Sequence, residues 1–170
     1  LVSRSEELYR TVKSKSVMLV PVQLEDVCAT AVDRFFKKYP EAKLAQSCPK
    51  AVQVLADANY LAEALYNLLT NAWEANADAG RTDSCVELSC YNVRLYTVME
   101  VRDRGRGIDK EDKRRIFEPF YSSKNTNFNW GMGLYHVRTI VRSHLGTLRV
   151  ENRRDGGAAF FILLPRYDGS

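Results

Sequence analysis

One stretch constrains this chain more than any other: "YLAEALYNLLTNAWEANAD", residues 60–78. Its apolar positions Leu61, Ala64, Leu65, Leu68, Leu69, Ala72 and Ala75 recur at the spacing that places side chains on one helical face. A helix this long with such a stripe must lie against a core. A second stripe runs beside the first: Glu63, Asn67, Asn71, Glu74 and Asp78. A solvated face explains the three carboxylates. It explains the asparagines less well, because Asn competes with the backbone for hydrogen bonds and exposed helices more often carry Glu, Lys or Gln. Two carboxamides one turn apart, flanked by Leu and Ala, predict a half-buried polar site. Such oxygens suit Mg²⁺, which keeps several waters and takes few protein ligands beside phosphates.

The rest of the chain surrounds that helix with strands. Residues 17–22 read as a strand, and 24–39 as an amphipathic helix stopped by Pro40. Short strands follow at 42–46 and 51–55, then a helix over 59–78 with Gly80 as its stop. Residues 84–92 and 95–103 form a hairpin. A short helix over 109–117 takes Asp109 as N-cap. Residues 118–131 have no periodicity, and so long a loop in a compact domain is usually functional or disordered. A helix over 132–144 ends at Gly146, and strands at 147–152 and 158–164 flank the turn "RRDGG". Helices and strands do not alternate regularly. The expected fold is therefore α/β (α+β): a two-layer sandwich, with a mixed, largely antiparallel sheet and three helices on one face.

With 170 residues the chain suffices for one domain, placed at 17–166. Residues 1–16 are expected to be a linker or the end of a preceding helix, and 167–170 a tail. A start without Met reads as a piece of something longer. No run of about 18 apolar residues occurs, so no spanning helix is expected here; reduced thiols suit a cytoplasmic domain without membrane contact, and the full-length protein could still be membrane-anchored. The net charge of +4 is spread through mixed clusters such as "KEDKRR", so nucleic acid is not an expected partner, whereas a small polyanion is compatible. Cys28, Cys48, Cys85 and Cys90 form no C-x-x-C pair, and reduced, mostly buried thiols are expected.

Three further stretches carry chemistry. In "VMEVRDRGRGI" the period of a strand points Met99, Val101 and Asp103 to one face, toward the core. A carboxylate ending an apolar row needs a partner. A ligand N–H such as the adenine amine, a buried water and a backbone amide all qualify. Gly105 and Gly107 permit close approach and positive φ, with Ile108 packed beneath. In "IFEPFYSSK", Phe117, Pro119, Phe120 and Tyr121 anchor the loop, and Lys124 points either to solvent or to a phosphate. "GMG" at 131–133 opens a helix, whose terminal amides suit a phosphate. His136 and His144 lie two turns apart on that helix and are expected to be structural.

The set "NLLTNA" (67–72), "DRGRG" (103–107), "IFEPFYSSK" (116–124) and "GMGL" (131–134) resembles, in order and spacing, the N, G1, F and G2 boxes of the sensor histidine kinase ATP-binding domain. That domain belongs to the superfamily shared with DNA gyrase, heat-shock chaperone ATPases and mismatch-repair ATPases. The resemblance spans about 18–165 and implies the Bergerat-type form of the same sandwich. It implies that Asp103 accepts a hydrogen bond from the adenine amine, while Gly105 and Gly107 let the backbone close over the base. Asn71 would coordinate Mg²⁺, with Asn67 near the phosphates. Lys124 and the amides of Gly131, Met132 and Gly133 would meet the phosphates, Asn67 and Lys124 acting in catalysis. Ile108, Phe117 and Leu134 complete the nucleotide set, and 118–131 would be the ATP lid.

Asn129 stands where the G2 box often begins with glycine, Trp130 follows it, and Glu74 replaces a basic residue found in some members. Hydrolytic relatives carry Glu where this chain has Asn67, an amide that cannot act as a base. Phosphotransfer to an external nucleophile fits better; the resemblance implies that the acceptor is a histidine on a dimerisation domain outside these residues, with a response regulator downstream, and this fragment is expected to be monomeric. A related anti-sigma-type serine kinase and a non-catalytic scaffold are the alternatives.

Overall fold

The computed structural model describes residues 17–119 and 130–169, with the backbone alone for 130–132. The expected linker 1–16, lid positions 120–129, Lys124 and Asn129 lie outside the described residues. Strand β1 (Val20–Gln23) runs directly into helix α1 (Leu24–Lys38). Strands β2 (Leu44–Ser47) and β3 (Gln53–Ala56) precede α2 (Ala58–Asp78). The hairpin is β4 (Val86–Val93) and β5 (Tyr96–Arg102). After α3 (Lys110–Lys113) and α4 (Trp130–Ser143), β6 (Thr147–Asn152) and β7 (Ala158–Pro165) complete the described elements.

The main sheet has the order β2-β4-β5-β7-β6, with β2 parallel to β4 and every other pair antiparallel. This is the mixed, largely antiparallel sheet expected. β1 and β3 leave it and pair with each other as a separate antiparallel ribbon. Both are four residues long; β1 runs straight into α1 and β3 reaches α2 through its N-cap Asp57, and Leu24 N–H donates to Val52 O at 2.8 Å to tie the ribbon to the start of α1.

Three long helices cover one face, with α2 between α1 and α4. Leu24, Val27, Cys28, Ala31, Val32 and Phe35 of α1 are buried, as are Leu61, Ala64, Leu65, Leu68, Leu69 and Ala72 of α2. The sheet answers with Val86, Leu88, Met99, Val101, Phe160 and Ile162. Asp57 caps α2 by accepting from Tyr60 N–H at 3.3 Å. Its own N–H donates to His144 Nε2 at 3.0 Å, while Ile140 O lies 2.8 Å from His144 Nδ1. Only the imidazole protonated at Nδ1 serves both bonds. His144 is thus a buried brace between α2 and the end of α4.

Two local expectations change. The helix expected over 109–117 is helical only at Lys110–Lys113, and although Asp109 sits at its N-cap, the side chain makes no capping bond. The stop expected at Gly146 is divided between two residues. Leu145 takes the left-handed conformation (φ 61°), and Gly146 is needed for space, since an added Cβ would fall 2.5 Å from Leu163 O.

Candidate functional site

At the end of β5, Asp103 is 4% exposed beside buried Met99 and Val101, as the strand period requires. Backbone amides are its partners: Gly105 N–H at 2.9 Å and Ala158 N–H at 3.0 Å. Both donate to Oδ1, which leaves Oδ2 without a partner among the described residues. Burial pushes this carboxyl above the ordinary Asp range, against the opposing pull of the two amides and Arg153.

The two glycines of the following loop serve different needs. Gly107 adopts φ +80°, with Asn152 Oδ1 2.9 Å from where a Cβ would sit. Gly105 lies flat against α2, where a Cβ would be 2.9 Å from Ala75 Cβ. Ile108 is buried beneath, as expected. Four residues not anticipated from the sequence hold this loop. Asn76, fully buried, accepts from Arg104 N–H at 2.6 Å. Asn152 grips Ile108 from both sides, accepting from its N–H and donating to its C=O, each at 2.8 Å. Arg153 donates to Asp103 O at 3.0 Å, and Gly157 (φ +91°) passes so close that a Cβ would sit 2.1 Å from that oxygen. "RRDGG" is therefore a clamp on the β5 end as well as a turn. A buried Asn at the end of an apolar stripe was the one available signal.

The second wall is the seam between α2 and α4. Asn67, half-buried, donates through Nδ2 to Glu63 O at 3.0 Å. Asn71 lies one turn on, and its Nδ2 is buried without a hydrogen-bond partner. Across the seam is Gly133, where a Cβ would stand 3.7 Å from Asn71 Nδ2 and 3.9 Å from Oδ1. Gly133 thus sets the backbone of α4 directly against the carboxamide. Because α4 begins at Trp130, the amides of 130–133 belong to its first turn and lack intrahelical acceptors. Gly131 and Met132 are thus placed by their backbone, and Leu134 is buried.

Helix α2 joins the two walls. Asn71 and Ala75 are one turn apart on the same face, and Ala75 is the residue on which Gly105 rests. The expected stripe divides at Glu74, whose carboxylate accepts from Tyr39 O–H at 2.9 Å and so belongs to the packing against α1. Glu63, at the other end, lies 3.4 Å from buried His136 and is held below the ordinary Glu range, first by that histidine. Phe117 is half-buried and meets Phe160 edge-on at 6.3 Å.

The arrangement offers a recessed acceptor at one end and a carboxamide beside the first-turn amides of α4 at the other. Residues 56–168 match the family described as "Histidine kinase-, DNA gyrase B-, and HSP90-like ATPase". The C4-dicarboxylate transport sensor protein DctS of Rhodobacter capsulatus is 32% identical over 157 residues, which cover 91% of this chain and 24% of that protein. Sensor protein FixL of Bradyrhizobium diazoefficiens is 34% identical over 120 residues, 71% of this chain and 23% of FixL. The chain thus spans about a quarter of these curated relatives. Among solved structures, a mycobacterial sensor histidine kinase MprB superposes with a TM-score of 0.75 at 25% identity, covering 87% of this chain and 97% of that one.

Proposed function

This chain belongs to the family of histidine kinase-, DNA gyrase B- and HSP90-like ATPases, and from that premise we propose that it is the ATP-binding catalytic domain of a sensor histidine kinase. It holds ATP between the Asp103 loop and the α2–α4 seam and directs the γ-phosphate to a histidine supplied by a separate dimerisation domain.

The observation that carries this reading is the state of Asp103. Two amides hold Oδ1, so Oδ2 is aimed and unshared at the end of the sheet. An exocyclic amine meets it as donor to acceptor. Gly105 and Gly107 keep the loop thin enough for a flat base to approach. At the other end the Asn71 oxygen is a hard ligand suited to Mg²⁺, and the orphaned Nδ2 beside Gly133 fits a site completed by a ligand. Mg²⁺, when bound, neutralises charge on the phosphates. Asn71 would hold it, with the first-turn amides of α4 and Lys124 cradling the phosphate oxygens.

Asn67 cannot take a proton from water, which favours transfer over hydrolysis. The acceptor lies elsewhere, because the chain's two histidines are both buried, His136 at 6% and His144 at 1% exposure. Residues 17–166 act as the catalytic unit, and a response regulator receives the phosphoryl group afterwards. Among the described residues no helix is long and apolar enough to cross a membrane.

Calorimetric titration of a non-hydrolysable ATP analogue with Mg²⁺ tests the site. The wild-type chain should bind saturably. Asp103→Asn keeps an acceptor for the two amides but presents an NH₂ where Oδ2 stood. Its affinity should fall roughly tenfold to a hundredfold. Unchanged affinity in that variant, or no saturable binding by the wild type, overturns the proposal. Acid-labile phosphate should then form on an added dimerisation domain and not on this chain alone; acid-stable phosphate would mean a serine acceptor.

A further inference from the structure

Three of the four cysteines converge at a place the nucleotide site does not use. Cys28 lies on α1, Cys48 follows the last residue of β2, and Cys90 is on β4. Their sulfurs all lie within 4.8 Å of one another, with Cys28 Sγ and Cys90 Sγ at 3.6 Å. Cys28 and Cys90 are buried, whereas Cys48 is half-buried. A surface groove of about 420 Å³ opens onto Cys28 and Cys48, and Glu25 and Asp33 are part of its lining. No C-x-x-C spacing announces this trio, because each thiol comes from a different segment of the chain.

We propose that Cys28, Cys48 and Cys90 form a three-sulfur binding site for a thiophilic d¹⁰ divalent cation of the Zn²⁺ class. An ion about 2.3 Å from each of three sulfurs holds them roughly 3.8–4.0 Å apart. The Cys28–Cys90 pair already stands near that separation. Cys48, the partly exposed member, has the freedom to close the rest. Soft thiolates select such ions over Mg²⁺ or Ca²⁺. Each thiol releases its proton to solvent on binding, so the filled site carries a net charge of minus one. The groove leaves a fourth position open to water or an incoming ligand, as in exchangeable rather than closed zinc sites. A bound ion would pin α1 to the β2 edge and to β4, joining the helical layer to the sheet independently of ATP.

Cd²⁺ is the probe, because its bond to thiolate gives an ultraviolet charge-transfer band. Reduced, chelator-treated protein should take up one equivalent, with the band saturating at that ratio and the thermal midpoint rising. Protein preloaded with Zn²⁺ should exchange it for the softer Cd²⁺ and reach the same band. Cys85→Ser, altering the exposed thiol outside the trio, should titrate as wild type. Cys48→Ser changes a side chain outside the elements and should bind at least a hundredfold more weakly, with circular dichroism reporting that it stays folded. If Cys48→Ser unfolds, Cys48→Ala is titrated in its place. Retention of the stoichiometric band in the folded Cys48 variant, its loss in Cys85→Ser, or no saturable uptake by the reduced wild type overturns the proposal.

Discussion

The two walls of the candidate site are held in opposite ways. Around Asp103 the loop is tied at nearly every step: Asn76 takes Arg104 N–H, Asn152 takes both polar groups of Ile108, Arg153 takes Asp103 O, and Ala158 and Gly105 share Oδ1. Along the α2–α4 seam, Asn71 Nδ2 is buried without a hydrogen-bond partner. A satisfied network costs stability when broken, whereas an orphaned polar atom already carries its desolvation cost. One wall is thus satisfied by the protein's own groups, and the other keeps a buried N–H that the described residues do not satisfy.

The contrast breaks most sharply at Gly157. Gly157→Ala puts a Cβ 2.1 Å from Asp103 O at a φ of +91°, so urea denaturation should record a loss of about 3 kcal/mol or more. Asn152→Ala orphans both groups of Ile108 and should cost about 2–3 kcal/mol in the same experiment. Asn71→Ala should behave in the reverse sense. It removes a buried carboxamide NH₂ that has no partner and adds a better helix former, so stability should hold or rise by about 0.5 kcal/mol. Mg²⁺-dependent nucleotide affinity should nevertheless collapse. A stability loss at Asn71 as large as that at Asn152 would remove the distinction between the walls.

Acid titration separates them more gently. Burial raises the Asp103 carboxyl, so its contribution to stability is present below the unfolded Asp value of about 3.9 and is lost as pH rises through the higher folded value. Glu63 is lowered, chiefly by His136, so its contribution is present above about 4.3 and is lost as pH falls through the lower folded value. Denaturation midpoints followed across the carboxylate range should show Asp103→Asn and Glu63→Gln tilting the profile in opposite directions. The smallest effect lies away from both walls. Leu145 is exposed and left-handed at φ 61°, and Leu145→Gly should stabilise by about 0.5–1 kcal/mol in thermal unfolding.

Much of this was legible in the residues. Period-3.6 stripes located α1, α2 and α4 to within two residues at either end, and period 2 put Asp103, just past the end of β5, in line with the core residues Met99 and Val101. These readings succeed because they depend only on near neighbours in the chain. The division of the polar stripe at Glu74 did not show, because its partner Tyr39 is 35 residues away. Nor did the pairing of β1 with β3 outside the main sheet.

What the sequence determined by itself is the set of elements, the buried carboxylate and the carboxamides on one helix, since local periodicity and the cost of burying polar atoms dictate them. Tertiary structure alone decided which amides satisfy Asp103, why Gly105 must be small, which asparagines hold its loop and that three distant thiols meet. Each of those depends on a contact between segments tens of residues apart. The energy of such a contact comes from the fold that brings the two together, and no local pattern encodes it.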